Sequence, residues 1–162
     1  MAPKALSTGM GILLIYLLAA AGGCNPDYDS GTKFPAAAIS DRKTWKAGGG
    51  VRTPASAIDG NLSTAAVTGY SYENKAIVID LGKVCLFNMI IVEHGNDEFG
   101  FCRRVGIWTS IDGKEYTHRA DVPGTRKVSI FALVTPVLAR HVRLQAVVAG
   151  NRPWSIAEVY LQ

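Results

Sequence analysis

Apolar residues in this chain are concentrated in short runs that end at turn-forming residues. The first three runs are AIVIDLG at 76–82, LFNMIIVEH at 86–94 and RRVGIWTS at 103–110. In a later run, ARHVRLQAV at 139–147, apolar side chains occupy every second position from Val142 and polar side chains occupy the positions between them. This alternation is typical of a strand with one buried face, and no window shows the 3.6-residue period of a helix.

Turn signals and the last apolar run extend the same pattern. Asp112-Gly113 predicts a tight hairpin whose returning strand is KEYTHR at 114–119, and KVSIFALV at 127–134 follows it. The chain closes with WSIAEVYLQ at 154–162, an apolar strand that contains one carboxylate, Glu158. Several strands at short spacing without helices predict an all-β sandwich or barrel.

The first residues have the pattern of an export signal. Lys4 precedes a ten-residue apolar run at 12–21, which is short for a membrane span, and the small residues AGG then lead to Cys24. This ending resembles the lipobox of bacterial lipoproteins, which implies cleavage after residue 23 and lipidation of Cys24. The alternative is an ordinary secretory signal with an incidental cysteine. Both interpretations place the rest of the chain outside the cytoplasm.

The remaining sequence divides into a linker and one domain. Residues 24–35, CNPDYDSGTKFP, are rich in Pro, Asp, Ser and Gly and predict a linker that could extend about 40 Å. Residues 36–162 carry the strand pattern and have the length of a single domain. The linker would therefore hold this domain away from a membrane surface.

Charge and motifs exclude several classes of function. The formal net charge is +4, or +3 once Lys4 is removed with residues 1–23, and no basic run occurs, so nucleic acid is not expected as a partner. The sequence contains no G-x-S-x-G, H-E-x-x-H or G-K-[ST] motif. His94, His118 and His141 share no ligand spacing. An enzyme is therefore not expected.

Two cysteines, Cys85 and Cys102, lie within the predicted domain. In an oxidising compartment they can form a disulfide that closes a short loop, worth about 3 kcal/mol in the chain-entropy model. The alternative is a pair of reduced, buried cysteines. The sequence leaves both open.

Five segments, taken in order along the chain, are PASAIDGNLST at 54–64, AIVIDLGK at 76–83, VGIWTSIDGKEYT at 105–117, ARHVRLQ at 139–145 and WSIAEVYL at 154–161. Together they closely resemble the discoidin domain, also called the coagulation factor V/VIII (F5/8) type C domain. That family includes many carbohydrate-binding modules of the galactose-binding-like fold. The resemblance covers about residues 36–162 and implies an eight-stranded jelly-roll β-sandwich, with its terminal segments side by side and binding loops at one end.

The resemblance also implies a structural calcium ion between the AIDGN loop and the final strand. Calcium prefers six to eight hard oxygen ligands, and carboxylates, a hydroxyl and backbone carbonyls provide them. A calcium ion would also explain a carboxylate inside an apolar strand. The alternative is that Glu158 faces solvent and Asp59 caps a turn. The implied ligands are the side chains of Asp59, Thr64 and Glu158 and the backbone carbonyls of Ser56, Asn61, Thr64 and Ala157.

Two loops mix aromatic residues with side chains that can bind hydroxyl groups, GYSYEN at 69–74 and EHGNDEFGF at 93–101. In sugar-binding members of the family an aromatic ring stacks on the sugar, and Tyr70 occupies that position here. The His position of galactose-type modules is Val67, so the galactose-type polar set is mostly missing. The alternative is an ordinary solvated loop with a Phe packed beneath it. The candidate ligand-binding residues are Tyr70, Tyr72, His94, Asn96, Asp97 and Phe99.

These expectations together predict a non-catalytic binding module that is exported and held on a membrane through Cys24. Carbohydrate is the expected partner, and the alternative is an adhesion or assembly module that binds a protein at the cell surface. Binding of lipid headgroups, as in the coagulation members, would need exposed apolar residues flanked by basic ones, and Phe99 and Phe101 near Arg103 and Arg104 could provide them. The negative charges of Asp97 and Glu98 oppose that third interpretation.

Overall fold

The computed structural model describes residues 39–162, which form an all-β fold with eight strands and two 3-10 turns, at Arg42–Thr44 and Pro54–Ala57. The predicted signal at 1–23, Cys24 and the linker at 24–35 lie outside the described residues. No helix long and apolar enough to span a membrane occurs within residues 39–162. The strands are β1 (Lys46–Gly49), β2 (Ala66–Val67), β3 (Ala76–Glu93), β4 (Arg104–Ser110), β5 (Thr117–Pro123), β6 (Val128–Val148), β7 (Ser155–Ile156) and β8 (Glu158–Leu161).

The strands form two antiparallel sheets. The large sheet has the order β1-β3-β6-β4-β5, with β8 also paired to β3, and the small sheet joins β2 to β7. The first half of β3 lies between β1 and β6, and its second half lies between β8 and β6. The predicted all-β architecture of eight strands in two sheets is confirmed.

The long strands β3 and β6 correct the predicted boundaries. The runs at 76–82 and 86–94 form one strand, and so do the runs at 127–134 and 139–147. Gly82, at φ +78°, lies where the pairing of β3 with β6 shifts register between Asp80 and Cys85. Gly82 therefore allows a bulge within β3 rather than ending it, because glycine adopts a positive φ at little cost.

The alternation along each strand places the core as predicted. Val142, Leu144 and Ala146 of β6 are fully buried, and Ile77, Ile79 and Leu81 of β3 pack in the same core. Burial of each Val, Leu or Ile side chain contributes about 1.5–3 kcal/mol of hydrophobic free energy, and the smaller side chain of Ala146 contributes less. The core is therefore formed mainly by the two strands that cross the whole fold.

The hypothesis of a disulfide between Cys85 and Cys102 is wrong for this structure. Both cysteines are buried and free. The Cys85 thiol lies 3.6 Å from the Ser40 hydroxyl, whereas the Cys102 thiol donates to the Val148 carbonyl at 3.0 Å. Burial raises the pKa of the Cys102 thiol, which keeps it protonated.

The hairpin between β4 and β5 forms where it was predicted but is wider than a two-residue turn. Thr109 pairs with Thr117 and β4 continues to Ser110, so residues 111–116 form the connection. Asp112 stabilises this loop because one carboxylate oxygen accepts hydrogen bonds from the Ser110 hydroxyl and the Lys114 amide, both at 2.9 Å. These hydrogen bonds hold the pKa of Asp112 below its usual value, with the Lys114 amide as the largest cause.

Candidate functional site

A cleft opens at one end of the fold, where the segments before β4 and β7 meet the turn between β5 and β6. The Ser155 amide donates to the Gly100 carbonyl at 2.7 Å, and the Lys127 amide donates to the Glu98 carbonyl at 3.3 Å. These bonds bring together three segments that are far apart in sequence. The cleft has a volume of about 320 Å³ and is lined by Phe99, Phe101, Arg103, Arg126, Gly150, Asn151 and Arg152.

Tyr72 lies beneath this cleft. Its side chain is fully buried, and its hydroxyl accepts a hydrogen bond from the Gly150 amide while lying 3.5 Å from the Phe101 carbonyl. Burial raises the pKa of Tyr72, so the hydroxyl remains a donor. Gly150 must be a glycine, since a Cβ at this position would lie 2.2 Å from the Phe101 carbonyl oxygen. The cleft is therefore shaped by close backbone packing.

His94 supports the loop that carries Phe99 and Phe101. Only 1% of its surface is exposed; Nδ1 lies 2.7 Å from the Ser155 carbonyl, and Nε2 lies 2.9 Å from the Ser129 hydroxyl. The carbonyl can only accept, so Nδ1 carries the proton and Nε2 accepts from Ser129. Burial lowers the pKa of His94, which favours this neutral form.

Two arginine side chains, those of Arg126 and Arg152, lie over the ring of Phe99. The guanidinium carbon of Arg126 lies 4.1 Å from the centre of the Phe99 ring, and that of Arg152 lies 5.5 Å from it. Arg126 also pairs with Glu98 at 3.0 Å, and Arg152 pairs with Asp97 at 3.1 Å. Each guanidinium is thus oriented by a ring and by a carboxylate, and each retains N–H groups that are not used in these contacts.

The cleft and its rim carry an excess of positive charge. Arg103 binds the Asn151 side-chain oxygen at 2.7 Å and takes part in no salt bridge within residues 39–162. Lys127 lies 3.9 Å from Glu98, which already pairs with Arg126. Three arginines and one lysine therefore face two carboxylates, which leaves a formal charge of +2.

The six predicted ligand-binding residues fall into three groups. Phe99 lines the cleft with 44% of its surface exposed, and Asp97 holds Arg152 at the rim. Tyr70 is 81% exposed and Asn96 is also exposed, but neither lines the cleft. Tyr72 and His94 were expected to contact a ligand at the surface, and this expectation is corrected. Both side chains are buried below the cleft and form hydrogen bonds to other groups of the protein.

Several cleft residues were not expected from sequence. Arg126 lies in the turn PGTRK, and Asn151 lies just before β7, so neither belongs to the loops that the sequence singled out. Only the contact of Arg126 with Phe99 and the pairing of Arg103 with Asn151 bring them to the cleft. No local signal in the sequence indicates these contacts.

The predicted calcium loop and final strand do lie together. Asp59 accepts hydrogen bonds from the Asn61 amide at 2.9 Å and from the Thr64 hydroxyl at 2.7 Å. The Thr64 hydroxyl holds the pKa of Asp59 below its usual value, as do the Asn61 amide and, to a smaller extent, Glu158 and Arg42. The loop therefore concentrates oxygen atoms at the start of β8.

Glu158 is fully buried, and within residues 39–162 its carboxylate contacts the Gly60 amide and the Arg42 guanidinium. One carboxylate oxygen accepts from the Gly60 amide, and the other pairs with the Arg42 guanidinium. Arg42 also donates to the Val159 carbonyl at 2.9 Å, so the described N-terminal segment is attached to the final strand. The alternative in which Glu158 faces solvent is wrong.

The donor chemistry of this region fits a calcium ion. Asp59, Thr64 and Glu158 bring two carboxylates and a hydroxyl to one place, and the carbonyl of Asn61 lies 2.9 Å from the Thr64 hydroxyl. These are hard oxygens of the kind that calcium binds. A calcium ion bound here would share the Glu158 carboxylate with the Arg42 guanidinium. No group of three His, Cys, Asp or Glu side chains that could hold a metal occurs within residues 39–162, so neutral oxygens would have to complete the shell.

Comparison with known families gives the class of the chain. The model of the F5/8 type C domain matches residues 35–159, and the chain belongs to this family. No curated protein sequence matches the chain significantly.

Solved structures with the same fold come from carbohydrate-binding modules. The family 32 module of Clostridium perfringens NanJ, solved with galactose, has a TM-score of 0.66 and 24% identity, covering 77% of this chain and 97% of its own. CpGH89CBM32-5 of C. perfringens, solved with GalNAc-β-1,3-galactose, has a TM-score of 0.68 and 19% identity, covering 74% and 96%. Chitosan-binding module 1 of a chitosanase/glucanase from Paenibacillus sp. IK-5 has a TM-score of 0.59 and 20% identity, covering 72% and 91%.

Proposed function

We propose that this protein is a non-catalytic module that binds carbohydrate in the cleft lined by Phe99 and Phe101. The observation that carries the proposal is the cleft itself, which combines two aromatic rings with guanidinium and amide donors at the loop end of the fold. Aromatic faces and a few polar groups are what a sugar-binding site requires. The similar modules from C. perfringens and Paenibacillus, which bind galactose, GalNAc-β-1,3-galactose and chitosan, support this class of ligand.

The absence of catalysis is part of the proposal. The family match spans 35–159, and similar structures are binding modules even where they accompany an enzyme, such as the two modules and the M60 catalytic domain of C. perfringens ZmpB. Incubation of the chain with each glycan that it binds, followed by product analysis, tests this point. Appearance of a cleaved product would contradict it.

The binding proposal is tested by screening the full chain on an array of neutral and acidic glycans. We expect binding to a defined sugar that is lost in Phe101→Ala and kept in Tyr160→Ala, since Tyr160 is an exposed aromatic residue on β8 outside the cleft. Both variants are first checked for an unchanged circular dichroism spectrum. A folded wild-type chain that binds no glycan would refute the proposal.

Tyr70 provides a separate test within the same screen. Its loop runs between Thr68, which binds Trp154, and Tyr72, which binds Gly150, so Tyr70 is exposed beside the loop that carries Gly150 and Asn151. If the ligand extends beyond the cleft, Tyr70→Ala weakens binding without lowering the melting temperature. Unchanged binding would restrict the site to the cleft.

A structural calcium ion at the start of β8 is the second part of the proposal. The side chains of Asp59, Thr64 and Glu158 and the carbonyls of Ser56, Asn61, Thr64 and Ala157 would hold it, and Glu158 would contact Arg42 as well as the ion. We expect calcium to raise the melting temperature relative to chelator, and to raise it more in Arg42→Ala, where Glu158 lacks its protein cation. Equal melting with calcium and chelator in both proteins would refute the ion.

Display on a membrane is the third part. The sequence around Cys24 supports cleavage after residue 23 and lipidation, with the domain facing the periplasm or the cell exterior. Mass spectrometry of the protein purified from its host membrane would show a diacylglycerol modification on Cys24. Release of Cys24→Ser into the soluble fraction is expected, and an unmodified wild-type protein would contradict the anchor.

A second candidate function is binding of a protein partner. Ile130, Ile91 and Tyr160 form a cross-strand row on one face of β6, β3 and β8, and Ile130 is 59% exposed. Val134 of β6 is fully exposed as well. Apolar residues grouped on a sheet surface favour protein contact. Loss of adhesion to cells in Ile130→Glu, with glycan binding unchanged, would favour this function.

A further inference from the structure

The three arginines of the cleft indicate the class of carbohydrate that it binds. Arg103, Arg126 and Arg152 all line a space of about 320 Å³ that also contains Phe101. A site for neutral sugars needs donors and acceptors in similar numbers, because each hydroxyl is both. Guanidinium groups are donors only, so a cleft with three of them suits a ligand rich in acceptors.

The guanidinium groups are held in place before any ligand arrives. Phe99 stacks against Arg126 and Arg152, and each of these arginines pairs with one carboxylate, Glu98 and Asp97 respectively. An arginine fixed in this way loses little conformational entropy on binding an anion. Phe99 is therefore a positioning residue for the two guanidiniums.

The neighbouring carboxylates do not neutralise the cleft. Asp97 and Glu98 offset two of the four basic side chains, and within residues 39–162 Arg103 is paired with the neutral side chain of Asn151 and with no carboxylate. The arginines are also accessible, since the side chains of Arg126 and Arg152 are 55% and 57% exposed. An anion entering the cleft would meet charged donors without displacing a buried ion pair.

We propose that the cleft selects acidic carbohydrates, in which a carboxylate or sulfate group is bound by Arg103, Arg126 and Arg152 while the sugar ring contacts Phe101. This inference rests on the proposed carbohydrate-binding function and specifies its ligand. The concave shape favours a glycan over an anionic membrane, because insertion into a bilayer requires protruding apolar residues. The exposed ring of Phe99 instead carries guanidiniums on it.

The test compares pairs of ligands that share a sugar backbone and differ in whether that backbone carries acidic groups. Oligogalacturonate is compared with its methyl ester, and dextran sulfate with dextran, by titration of the full chain at low and high sodium chloride. We expect binding to the acidic member of at least one pair, weakened by salt. Arg126→Ala and Arg152→Ala should each reduce the affinity about ten-fold or more, since each removes charge-assisted hydrogen bonds.

Two matched variants distinguish binding in the cleft from a general effect of positive charge on the protein surface. Arg104→Ala removes the same charge from an exposed position next to Arg103 but outside the cleft, and its affinity should remain within about two-fold of wild type. Arg126→Lys keeps the charge and removes the planar fork, so an intermediate loss is expected. An equal loss in Arg104→Ala and Arg126→Ala would overturn the assignment of the cleft.

The remaining outcomes distinguish this inference from the function on which it rests. Equal binding of the acid and its methyl ester, or of neutral glycans alone, would overturn the acidic ligand and leave the carbohydrate-binding function in place. Equal binding of polyglutamate or of phosphatidylserine vesicles would overturn selection of a sugar. Binding to no member of either pair, and to no glycan in the array, would refute the inference and the proposed function together.

Discussion

His94 shows how a residue chosen for its chemistry can serve the structure below a site instead. The sequence presented it in a loop among aromatic and acidic residues, where a sugar contact was expected. In the fold its ring is buried against Ser155 and Ser129, which belong to two other segments of the chain. The sequence shows that a histidine is present but not which way its side chain points. That orientation depends on hydrogen-bond partners 35 and 61 positions away in the chain.

The buried, neutral state of His94 predicts a loss of stability in acid. Burial holds the pKa of His94 below its usual value in the folded protein, so the unfolded state binds more protons once the pH falls below about 6.5, the ordinary value of a histidine. The free energy of unfolding should then fall with pH, by at most about 1.4 kcal/mol per pH unit from this residue. Urea unfolding between near-neutral pH and about pH 5 measures the slope.

A pair of variants tests whether His94 causes this pH dependence of stability. His94→Gln should lower stability near neutral pH by about 1–3 kcal/mol through lost hydrogen bonds but should flatten the slope. His118→Gln is the control, because the His118 side chain is 47% exposed. The pKa of Asp80 is about 2, chiefly because of its hydrogen bond to Arg140, so Asp80 titrates below this range. A wild-type slope in His94→Gln would contradict the assignment.

Arg42 and Glu158 give a second prediction for individual residues. Glu158 is fully buried, and Arg42→Ala removes its ion pair and leaves the Gly60 amide as its hydrogen-bond donor within residues 39–162. An uncompensated buried charge costs about 3–5 kcal/mol, discounted here because the Arg42 side chain is 28% exposed. In chelator we expect a loss of about 2–3 kcal/mol by urea unfolding.

The matched control for this change is Lys43→Ala, which removes the adjacent, exposed charge. Its effect should stay within about 0.5 kcal/mol of wild type. If Arg42→Ala in chelator also left the free energy of unfolding within about 0.5 kcal/mol of wild type, the ion pair would not stabilise the folded state. The sequence predicted that Glu158 needs a partner, but it could not identify Arg42, which lies 116 residues earlier.

At the scale of secondary structure, strand type was predictable and strand length was not. Alternation in 139–147 correctly placed Val142, Leu144 and Ala146 in the core. The boundaries of β3 and β6 were wrong because a glycine or a polar residue is read as a turn, although a paired strand can pass through it as a bulge. Whether a strand continues depends on neighbours on both sides, which local sequence does not contain.

Gly82 tests this interpretation of β3. With φ +78°, it occupies a conformation that alanine adopts at a cost of about 1–2 kcal/mol, and a Cβ would lie 3.0 Å from the Thr44 hydroxyl oxygen. Gly82→Ala should therefore reduce the free energy of unfolding by about that amount. Gly82→Asn should cost less, because asparagine tolerates a positive φ better. Equal stability of wild type and Gly82→Ala would mean that the bulge is not required.

At the scale of the whole molecule, the fold and the cleft differ in how far sequence determines them. The fold follows from many local patterns that agree with one another, and five short segments were enough to indicate the family. The cleft depends on Phe99, Arg126 and Asn151, which lie in three different segments of the chain. These residues come close together only when the segments before β4 and β7 pack against the turn between β5 and β6. Its charge could not be assigned from sequence, because Asp97 and Glu98 bind arginines from different segments.

The two long strands also predict a single cooperative unfolding transition. β3 pairs with β1, β6 and β8, and β6 pairs with β4, so few parts of the large sheet can open alone. Cys85 lies within β3 and Cys102 lies just before β4, and both are fully buried. Both thiols should therefore remain unreactive until the whole sheet unfolds.

This is measured by labelling with a thiol reagent across a urea gradient, in a Cys24→Ser background so that only the two buried thiols react. Labelling of Cys85→Ser and of Cys102→Ser should follow the same transition as the loss of tryptophan fluorescence. A reductant should leave that transition unchanged, because the two thiols are free in the folded protein. Labelling of Cys102 in the absence of urea would show that the segment beneath the cleft opens independently, and the cleft would then be shaped in part by its ligand.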